Sequence, residues 1–288
     1  EKMIGLAANA GVGAVKFQTI IPEKLVSPAQ KNRIKQLEKF RLSYTEFEKL
    51  SKVAAREKVL FLSTPFDIES ARFLDRLVPA FKISSGDNNF YPLIDVIART
   101  GKPIILSTGL ADMEQIIKTR DFIHNIWRET GIKQELAVLH CVTSYPTLPQ
   151  EANLLAIREL RDRLGITVGY SDHTMGIEAA VLAAAMGARI IEKHFTLNKS
   201  YSDFHDHQLS VDPKDMADMV KRVKETLVLL GGGEKRLQKS EAEVSDKVRR
   251  SIVASRDLSR GTVIRWEDLT WLRPGGGLAP GHEGELVG

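Results

Sequence analysis

Two histidines stand at the ends of neighbouring predicted strands, where their side chains could share a metal ion. His173 follows the strand candidate Ile166–Asp172, and His194 lies near the end of Arg189–Phe195. Neighbouring parallel strands lie about 4.8 Å apart, so two imidazoles at one level can each place a nitrogen about 2 Å from one divalent cation. Two protein ligands would leave the other coordination positions to water and substrate oxygens. The alternative is structural, in which each ring caps its strand or meets a backbone carbonyl.

Lysines and hydroxyl side chains recur at the ends of four other predicted strands. Lys16 and Gln18 are two residues apart on one strand and therefore share a face. A lysine at the mouth of a barrel supplies a point charge for phosphate or carboxylate, and hydroxyl and N–H groups complete the cradle. Any one of these residues is an ordinary strand cap, but their repetition predicts an anion site. Its further members are Thr64, Lys82, Ser84, Ser85, Ser107 and Thr108.

The loop Ser202–Gln208 follows the last of these strands and contains two aspartates and two histidines. It could serve as a general acid–base element, supply a further metal ligand, or be an ordinary solvated loop. Cys141 directly follows His140, but adjacent residues of a strand point to opposite faces. We therefore interpret Cys141 as a packed small side chain and not as a nucleophile paired with His140.

The elements that would position these residues alternate regularly between strand and helix. Short apolar, β-branched runs that end in polar residues predict seven strands, and stretches with helical spacing lie between them. The predicted strands are Ala14–Gln18, Val59–Pro65, Ala80–Gly86, Pro103–Gly109, Leu136–Thr143, Ile166–Asp172 and Arg189–Phe195. The predicted helices include Lys2–Ala10, Tyr44–Lys58, Ile68–Leu77, Asp112–Glu129, Leu154–Leu164, Ile177–Met186 and Pro213–Leu230.

Such alternation is typical of parallel sheets, either an open doubly wound sheet or a closed (β/α)8 TIM barrel. No Gly-x-Gly-x-x-Gly turn follows a strand, which weakens the dinucleotide-binding version of the open sheet. Polar residues at almost every strand end favour the barrel, whose catalytic face is built from all the strand C-termini. Because the chain opens in a predicted helix, we expect that the first strand of the barrel is missing from this sequence.

The composition changes after the last predicted helix of the barrel. Gly231, Gly232 and Gly233 end that helix, which places a barrel domain at residues 1–233. The charged stretch 234–248 reads as a linker. A second, small domain covers residues 249–288, with strand candidates at Ser251–Ala254 and Val263–Ile264, and it is expected to be incomplete.

Composition limits the classes of function that remain. A length of 288 residues with 43% hydrophobic content is ample for a buried core. The net charge of +4 comes from 41 basic and 37 acidic residues spread along the chain, which suits a small anionic substrate better than nucleic acid. The longest apolar runs are too short for a membrane span. The single cysteine excludes an intrachain disulfide and favours a cytoplasmic location.

Seven short motifs, in order along the chain, resemble those of the sialic acid synthase family. They cover almost all of Ala14–Asp212, and Arg249–Gly275 is similar to the start of that family's antifreeze-like (SAF) domain. Any one motif is weak, but seven in register form a specific pattern. The motifs are Val15–Thr19, Phe81–Asp87, Gly101–Gly109, Leu139–Cys141, Tyr145–Thr147, Gly169–Thr174 and Glu192–Thr196.

The resemblance implies a role for individual residues. His173 and His194 would hold a divalent ion, Mn²⁺ or alternatively Mg²⁺ or Co²⁺. Arg273 would reach the active site of a partner subunit in a domain-swapped homodimer and meet the N-acyl group of the sugar. Phosphoenolpyruvate would be held by Lys16, Thr64, Lys82, Ser85, Ser107 and Ser171, and the sugar would lie near Gln18, Tyr145 and Asp206.

Four departures from the family pattern bear on the sugar more than on the reaction. The first strand, which carries an active-site glutamate in the family, is expected before Glu1. Asp87 stands where many members have glutamate, and Thr143 replaces an asparagine seen in some relatives. The loop after the last strand keeps only Asp206 and His207 of the commoner version.

The resemblance implies an enzyme that condenses phosphoenolpyruvate with an N-acylated hexosamine, such as N-acetylmannosamine, to give a nonulosonic acid and phosphate. Asp206 or Asp87 would act as the base, and Lys82 would stabilise the phosphate. Three alternatives remain open from the residues: a metal-dependent hydrolase, a different phosphoenolpyruvate-dependent aldol-type synthase, and an inactive barrel retained for its interactions.

Overall fold

The computed structural model describes residues 1–202 and 205–288. The chain divides into two compact units, Glu1–Gly231 and Gly232–Gly288. The division falls close to the glycine run at which the sequence places the end of the barrel domain. Asp203 and Phe204, which belong to the predicted acid–base loop, lie outside the described residues.

The described residues of the first unit form seven parallel strands, one for each predicted strand. Strand β1 pairs with β2, and β3 to β7 form a five-stranded sheet in sequential order. Every one of these pairs is parallel. The strands are β1 (Ala14–Thr19), β2 (Leu60–Pro65), β3 (Phe81–Ile83), β4 (Ile104–Ser107), β5 (Leu136–Cys141), β6 (Thr167–Asp172) and β7 (Ile191–Lys193).

Eleven helices connect or flank these strands within the described residues of the first unit. The predicted helices are confirmed, and α2, α3, α6 and α10 are additional. Helix α10 begins within the stretch Ser202–Gln208 that the sequence interpretation gives as a loop. The helices are α1 (Lys2–Asn9), α2 (Pro22–Leu25), α3 (Lys31–Glu38), α4 (Tyr44–Arg56), α5 (Ile68–Leu74), α6 (Tyr91–Ala98), α7 (Met113–Thr130), α8 (Ala156–Leu164), α9 (Glu178–Ala185), α10 (His205–Leu209) and α11 (Pro213–Leu230).

Local chemistry explains where several of these helices begin and end. Ser43 forms a capping box with Glu46 at the start of α4, so the free N–H groups of its first turn are satisfied. The side chain of Asp112 caps α7, and that helix ends at Gly131 with φ 71°. A left-handed residue at this position favours glycine, which has no Cβ to clash. These signals fix the loops that carry the polar ends of the strands.

The core of the first unit lies between the sheet and the helices. It is a continuous cluster of buried aliphatic and aromatic side chains, including Phe81, Ile83, Ile97 and Val138, each fully buried. Since parallel strands present their C-terminal ends at one edge, this packing brings the polar strand ends together. The observed arrangement is the predicted α/β architecture, a curled parallel sheet covered by helices.

The second unit is a small domain with its own sheet. Strands β8 (Ser251–Ala254) and β9 (Leu269–Leu272) pair antiparallel, and helix α12 (Lys239–Val248) lies within the stretch interpreted as a linker. The predicted strand at Val263–Ile264 is wrong, because that dipeptide adopts no strand and the partner of β8 is β9. Two β-branched residues are too short a pattern to distinguish a strand from a loop. In the described part of the chain, every helix is too short or too polar to cross a membrane.

Candidate active site

Glu192 on β7 lies at the centre of a charged cluster at the strand ends. Lys16 Nζ on β1 lies 3.8 Å from Glu192 Oε2, and Lys82 Nζ on β3 lies 3.9 Å from Glu192 Oε1. Ser171 on β6 stands opposite Glu192 in the register and donates a hydrogen bond to Oε1 at 2.8 Å. The two lysines and one glutamate leave a net positive charge. This cluster is therefore suited to an anionic ligand.

Burial gives the charges of this cluster unusual acid–base properties. Burial lowers the pKa of Lys82 to about 8, against the attraction of Glu192. Burial also works to raise the pKa of Glu192, but Lys16 and Lys82 outweigh it and lower that pKa to about 2. Both groups are thus charged at neutral pH. Lys16 and Glu192 retain 25% and 24% side-chain exposure, so a ligand can reach them.

Lys82 is anchored within the cluster by two further contacts. Its Nζ donates to Ser107 Oγ on β4 at 2.6 Å and to the carbonyl oxygen of Ile83 at 3.0 Å. The side chain is 4% exposed, so its ammonium group is held in one place. The structure thus brings together the predicted anion-site residues Lys16, Lys82, Ser107 and Ser171.

His173 and His194 extend from the ends of the neighbouring strands β6 and β7, and their ring centroids are 5.3 Å apart. His173 Nδ1 lies 2.9 Å from the carbonyl oxygen of Val142. Because a carbonyl only accepts, this contact assigns the proton to Nδ1 and leaves Nε2 as the free acceptor. Burial lowers the pKa of His194 to about 4, so that ring is neutral at pH 7. Contacts with Cys141 and Val142 raise the pKa of His173 although burial opposes them.

Two imidazoles of this kind fit a divalent cation of intermediate softness. Both rings present nitrogen donors, and a carbonyl partner on the remote nitrogen is the usual support of a metal-ligating histidine. Within residues 1–202 and 205–288, no group of three His, Cys, Asp or Glu side chains is arranged to hold a metal ion.

Tyr145 and Asp206 lie next to the histidine pair. The ring of Tyr145 is 4.3 Å from that of His173 and 6.0 Å from that of His194, measured between centroids. Burial raises the pKa of Tyr145 to about 12, so its phenol keeps its proton and can donate a hydrogen bond. Asp206, on α10, shares the lining of one cavity with His194 and interacts electrostatically with that ring.

Two threonine hydroxyl groups are buried near the ends of β2 and β5. Thr64 Oγ1 and Thr143 Oγ1 are buried and find no hydrogen-bond partner among the described residues. Ser85 Oγ accepts a hydrogen bond from the N–H of Gly109 at 3.1 Å. Buried hydroxyl groups without partners are costly, so the two threonines are candidates for contacts with a bound ligand.

Gly109 is needed because Thr143 and Ser85 approach its backbone closely. A Cβ at this position would lie 2.2 Å from Thr143 Oγ1 and 2.7 Å from Ser85 Oγ. We expect Gly109→Ala to displace both hydroxyls, lower stability by about 1–3 kcal/mol and weaken anion binding. The change is measured by thermal denaturation and by the KM for the anionic substrate. Gly284→Ala is the control, because a Cβ there meets no atom within 4 Å. Equal KM values for the two variants would contradict this role of Gly109.

A cavity of about 780 Å³ opens beside the charged cluster. Its polar lining comprises Lys16, Gln18, Lys82, Glu192, His194 and Asp206, among other residues. Gln18 stands opposite Thr64 in the register of β1 and β2. The hydroxyl of Ser84 donates a hydrogen bond to Asp87, and burial raises the pKa of Asp87. Arg273 is exposed and belongs to the second unit.

The sequence interpretation missed the placement of Glu192 and Cys141. The sequence interpretation includes Glu192 in the motif Glu192–Thr196 but assigns it no role. Strand alternation nevertheless places Glu192 on the same face as His194. Cys141 does not pair with His140, whose Nε2 bonds to the carbonyl oxygen of Ala152. Cys141 is not remote from the site, however, since its Sγ lies 3.4 Å from Ser85 Oγ and 3.8 Å from His173 Nδ1.

Family comparison decides what kind of protein carries this site. The sequence model of the NeuB family matches residues 3–235, and that of the SAF domain matches residues 249–288. The chain belongs to the NeuB family. Within this family, the N,N'-diacetyllegionaminic acid synthase of Legionella pneumophila is 36% identical over an alignment that covers 100% of this chain and 84% of that protein. The pseudaminic acid synthase of Campylobacter jejuni serotype O:23/36 is 35% identical, with 100% and 86% covered.

A solved relative agrees with the fold assigned to this NeuB family member. The N-acetylneuraminic acid (sialic acid) synthetase of Leptospira borgpetersenii, solved in complex with citrate, superposes with a TM-score of 0.79 at 33% identity. The match covers 84% of this chain and 82% of that one. The predicted α/β fold of the TIM-barrel type and the C-terminal SAF domain are thereby confirmed.

Proposed function

We propose that this protein condenses phosphoenolpyruvate with the open-chain form of an N-acylated hexosamine, giving a nonulosonic acid and inorganic phosphate. The observation that carries the proposal is the net-positive cluster of Lys16, Lys82 and Glu192 next to two imidazoles that share the same edge of the sheet. Relatives named as legionaminic, pseudaminic and sialic acid synthases support the reaction class. They differ in their named product, so the acceptor sugar is left open within that class.

Phosphoenolpyruvate would bind at the charged cluster. The ammonium groups of Lys16 and Lys82 would attract its phosphate and carboxylate, and the hydroxyls of Ser107, Ser171 and Thr64 would complete the cradle. Glu192 would hold both lysines in place, since its carboxylate lies between them. The ligand would thus meet charges that are already positioned, which is how preorganised sites stabilise a transferring group.

A divalent ion, Mn²⁺ or alternatively Mg²⁺ or Co²⁺, would be held by His173 Nε2 and His194. When bound, such an ion supplies Lewis acidity toward the aldehyde oxygen of the sugar. Gln18 and Tyr145 would orient the sugar, with the protonated phenol of Tyr145 donating to a sugar oxygen. The positions of Gln18 along the cavity and of Tyr145 beside the histidine pair support these roles.

The reaction would form one carbon–carbon bond and one carbon–oxygen bond to water, and it would break the carbon–oxygen bond to phosphate. C3 of phosphoenolpyruvate attacks the aldehyde carbon, and the carbonyl oxygen of the sugar takes up a proton. Water then adds at C2, with its proton passing to the carboxylate of Asp206 or Asp87. The hydroxyl on C2 then passes its proton to the leaving phosphate as the C2–O bond to phosphate breaks, and C2 becomes the ketone of the product. Lys82 would stabilise the departing phosphate.

The proposal includes a domain-swapped homodimer in which Arg273 of the SAF domain serves the active site of the partner subunit. Arginine suits this role because its planar guanidinium forms directed hydrogen bonds with oxygen acceptors such as an acyl carbonyl. Size-exclusion chromatography with light scattering would test the dimer. Mixing an Arg273→Ala variant with a His194→Ala variant would test the exchange, because mixed dimers regain one intact site.

The decisive experiment follows phosphate release from phosphoenolpyruvate with Mn²⁺, in the presence and absence of N-acylated hexosamines. Condensation predicts that phosphate appears only when a suitable sugar is added, in a one-to-one ratio with a product of summed mass. A metal-dependent hydrolase would instead release a fragment of a single substrate and would need no phosphoenolpyruvate. A barrel retained only for interactions would release no phosphate with any member of the sugar panel.

The pH profile should report the buried lysine. Lys82 is charged below its pKa of about 8 and neutral above it, so the anion site weakens as pH rises. We expect kcat/KM for phosphoenolpyruvate to fall by about tenfold per pH unit above that pKa. Lys82→Met should be slow at all pH values and lack this alkaline decline. A wild-type profile that stays level well above pH 8 would contradict the assignment.

A further inference from the structure

A buried ion pair joins β6 and β7 directly before the two histidines. Lys193 Nζ lies 2.8 Å from Asp172 Oδ2, and both side chains are 0% exposed. The two residues are partners in the strand register. Adjacent residues of a strand point to opposite faces, so the pair belongs to the face away from Ser171 and Glu192. The pair is therefore close to the candidate metal ligands without belonging to the charged cluster.

The same two side chains fix the residue that follows His173. Asp172 Oδ1 accepts hydrogen bonds from the backbone N–H and from the hydroxyl of Thr174, both at 2.8 Å. Lys193 Nζ donates to the carbonyl oxygen of Thr174 at 2.5 Å. His173 thus lies between two anchored residues, Asp172 and Thr174. One lysine from the neighbouring strand holds both of them.

The backbone and ring of His173 are held from a third direction. Its carbonyl oxygen accepts from the N–H of Thr147 at 2.9 Å, and its Nδ1 contacts the carbonyl oxygen of Val142. The ion pair, these two contacts and the strand register together leave the ring little freedom to turn. His194 directly follows Lys193 in the chain, so the Lys193–Asp172 ion pair also restrains the backbone of His194.

We propose that Lys193 and Asp172 are positioning residues that hold His173 and His194 at the separation required to share a divalent cation. This inference rests on the proposed function, because it assumes that the histidines bind a metal ion. The pair does not touch substrate or metal. It acts by locking the turn at His173 to the strand that ends in His194.

A buried pair of full charges is a costly way to join two strands unless the geometry it fixes is needed. A well-packed apolar pair of similar volume often gives equal or greater stability. Supporting residues behind metal ligands, by contrast, commonly change metal affinity by about 10–100-fold when they are replaced. Metal affinity and stability should therefore respond differently to the loss of this pair.

The test measures the Mn²⁺ dissociation constant by electron paramagnetic resonance and the melting temperature by circular dichroism, using the full chain. Lys193→Met is expected to raise the dissociation constant by about 10–100-fold. It also leaves the Asp172 charge buried and unpaired, which lowers the melting temperature. The double variant Asp172→Asn/Lys193→Met removes that charge, so it should recover much of the lost stability. It should keep the weakened metal binding, because Thr174 O still lacks its donor.

Lys102→Met is the matched control. Lys102 also bridges a carboxylate and a backbone carbonyl, those of Asp75 and Val78 at 3.1 and 2.9 Å, but it precedes β4 at the opposite end of the strands. This variant should lose stability and keep the wild-type affinity for Mn²⁺. A folded double variant that binds Mn²⁺ as tightly as the wild type would overturn the inference while leaving the proposed function intact. A wild-type protein that binds none of Mn²⁺, Mg²⁺ and Co²⁺ would overturn both.

Discussion

Replacing His194 with alanine is expected to abolish metal-supported turnover while leaving the fold intact. The neutral imidazole at the end of β7 would be lost, and only the imidazole of His173 would remain to hold the cation. The Lewis acidity of a bound ion contributes several kcal/mol to the transition state, so turnover should fall about a thousandfold or more. Steady-state kinetics with saturating Mn²⁺ measures the loss, and circular dichroism checks the fold.

The matched control is His124→Ala, because His124 is a half-buried histidine on α7 whose ring packs near Trp127. This variant should retain turnover and Mn²⁺ affinity. Near-normal Mn²⁺-dependent turnover in the His194→Ala variant would exclude the histidine pair as the metal site.

Replacing Lys82 with alanine should raise the KM for phosphoenolpyruvate far more than the KM for the sugar. The change removes a buried cation and its hydrogen bond to Ser107 and leaves Glu192 paired with Lys16 alone. The cluster then carries no net positive charge toward an anion. A charge-assisted hydrogen bond is worth about 1.5–3 kcal/mol, which corresponds to a rise of about 10–150-fold.

Lys102→Ala is the control for this second variant, since that lysine also forms an ion pair but lies away from the strand C-termini. Its two KM values should stay close to those of the wild type. Equal increases of both KM values in the Lys82→Ala variant would show that Lys82 supports the whole site and does not select phosphoenolpyruvate.

The parallel strands could be predicted because each carries the same pattern. A buried strand of a parallel sheet is a short apolar run, and its functional end is polar, as in Leu136–Cys141 and Thr167–Asp172. Helix α6 is not among the predicted helices, because Tyr91–Ala98 has eight residues of which only Asp95 is charged. So short and apolar a run does not distinguish a buried helix from a strand. Tertiary packing decides its conformation, with Leu93, Ile94 and Ile97 fully buried.

The sequence predicts those residues of the site that can be recognised by their type and their place at a strand end. Lysines and hydroxyls repeat at several strand ends, which makes them recognisable as a group. Lys16, Lys82 and Ser171 do meet around one carboxylate, and Ser107 accepts a hydrogen bond from Lys82. That carboxylate, Glu192, could not be assigned without the register that places it opposite Ser171. The roles of Asp87 and Arg273 stay predictions, because the hydrogen bond described for Asp87 comes from Ser84 and Arg273 belongs to the second unit.

The sequence alone does not predict the buried, unpartnered threonine hydroxyls or the buried ion pair. Thr143 and Gly109 are distant in the chain, and only the fold shows that they approach too closely for a Cβ. Asp172 and Lys193 sit inside the recognised motifs, yet nothing in the spacing indicates that they pair with each other. Such cross-strand partners depend on register, which the hydrophobic pattern alone does not specify to one residue when both strand faces are buried.

A crystal structure of the protein with Mn²⁺ and phosphoenolpyruvate, with the ion located by its anomalous scattering, would show whether the two histidines share a metal ion beside the anion site. We expect one strong anomalous peak bonded to His173 Nε2 and His194, with the phosphate and carboxylate of the ligand against Lys16 and Lys82. A peak at another place, or histidine rings turned away from each other with phosphoenolpyruvate bound elsewhere, would contradict this expectation.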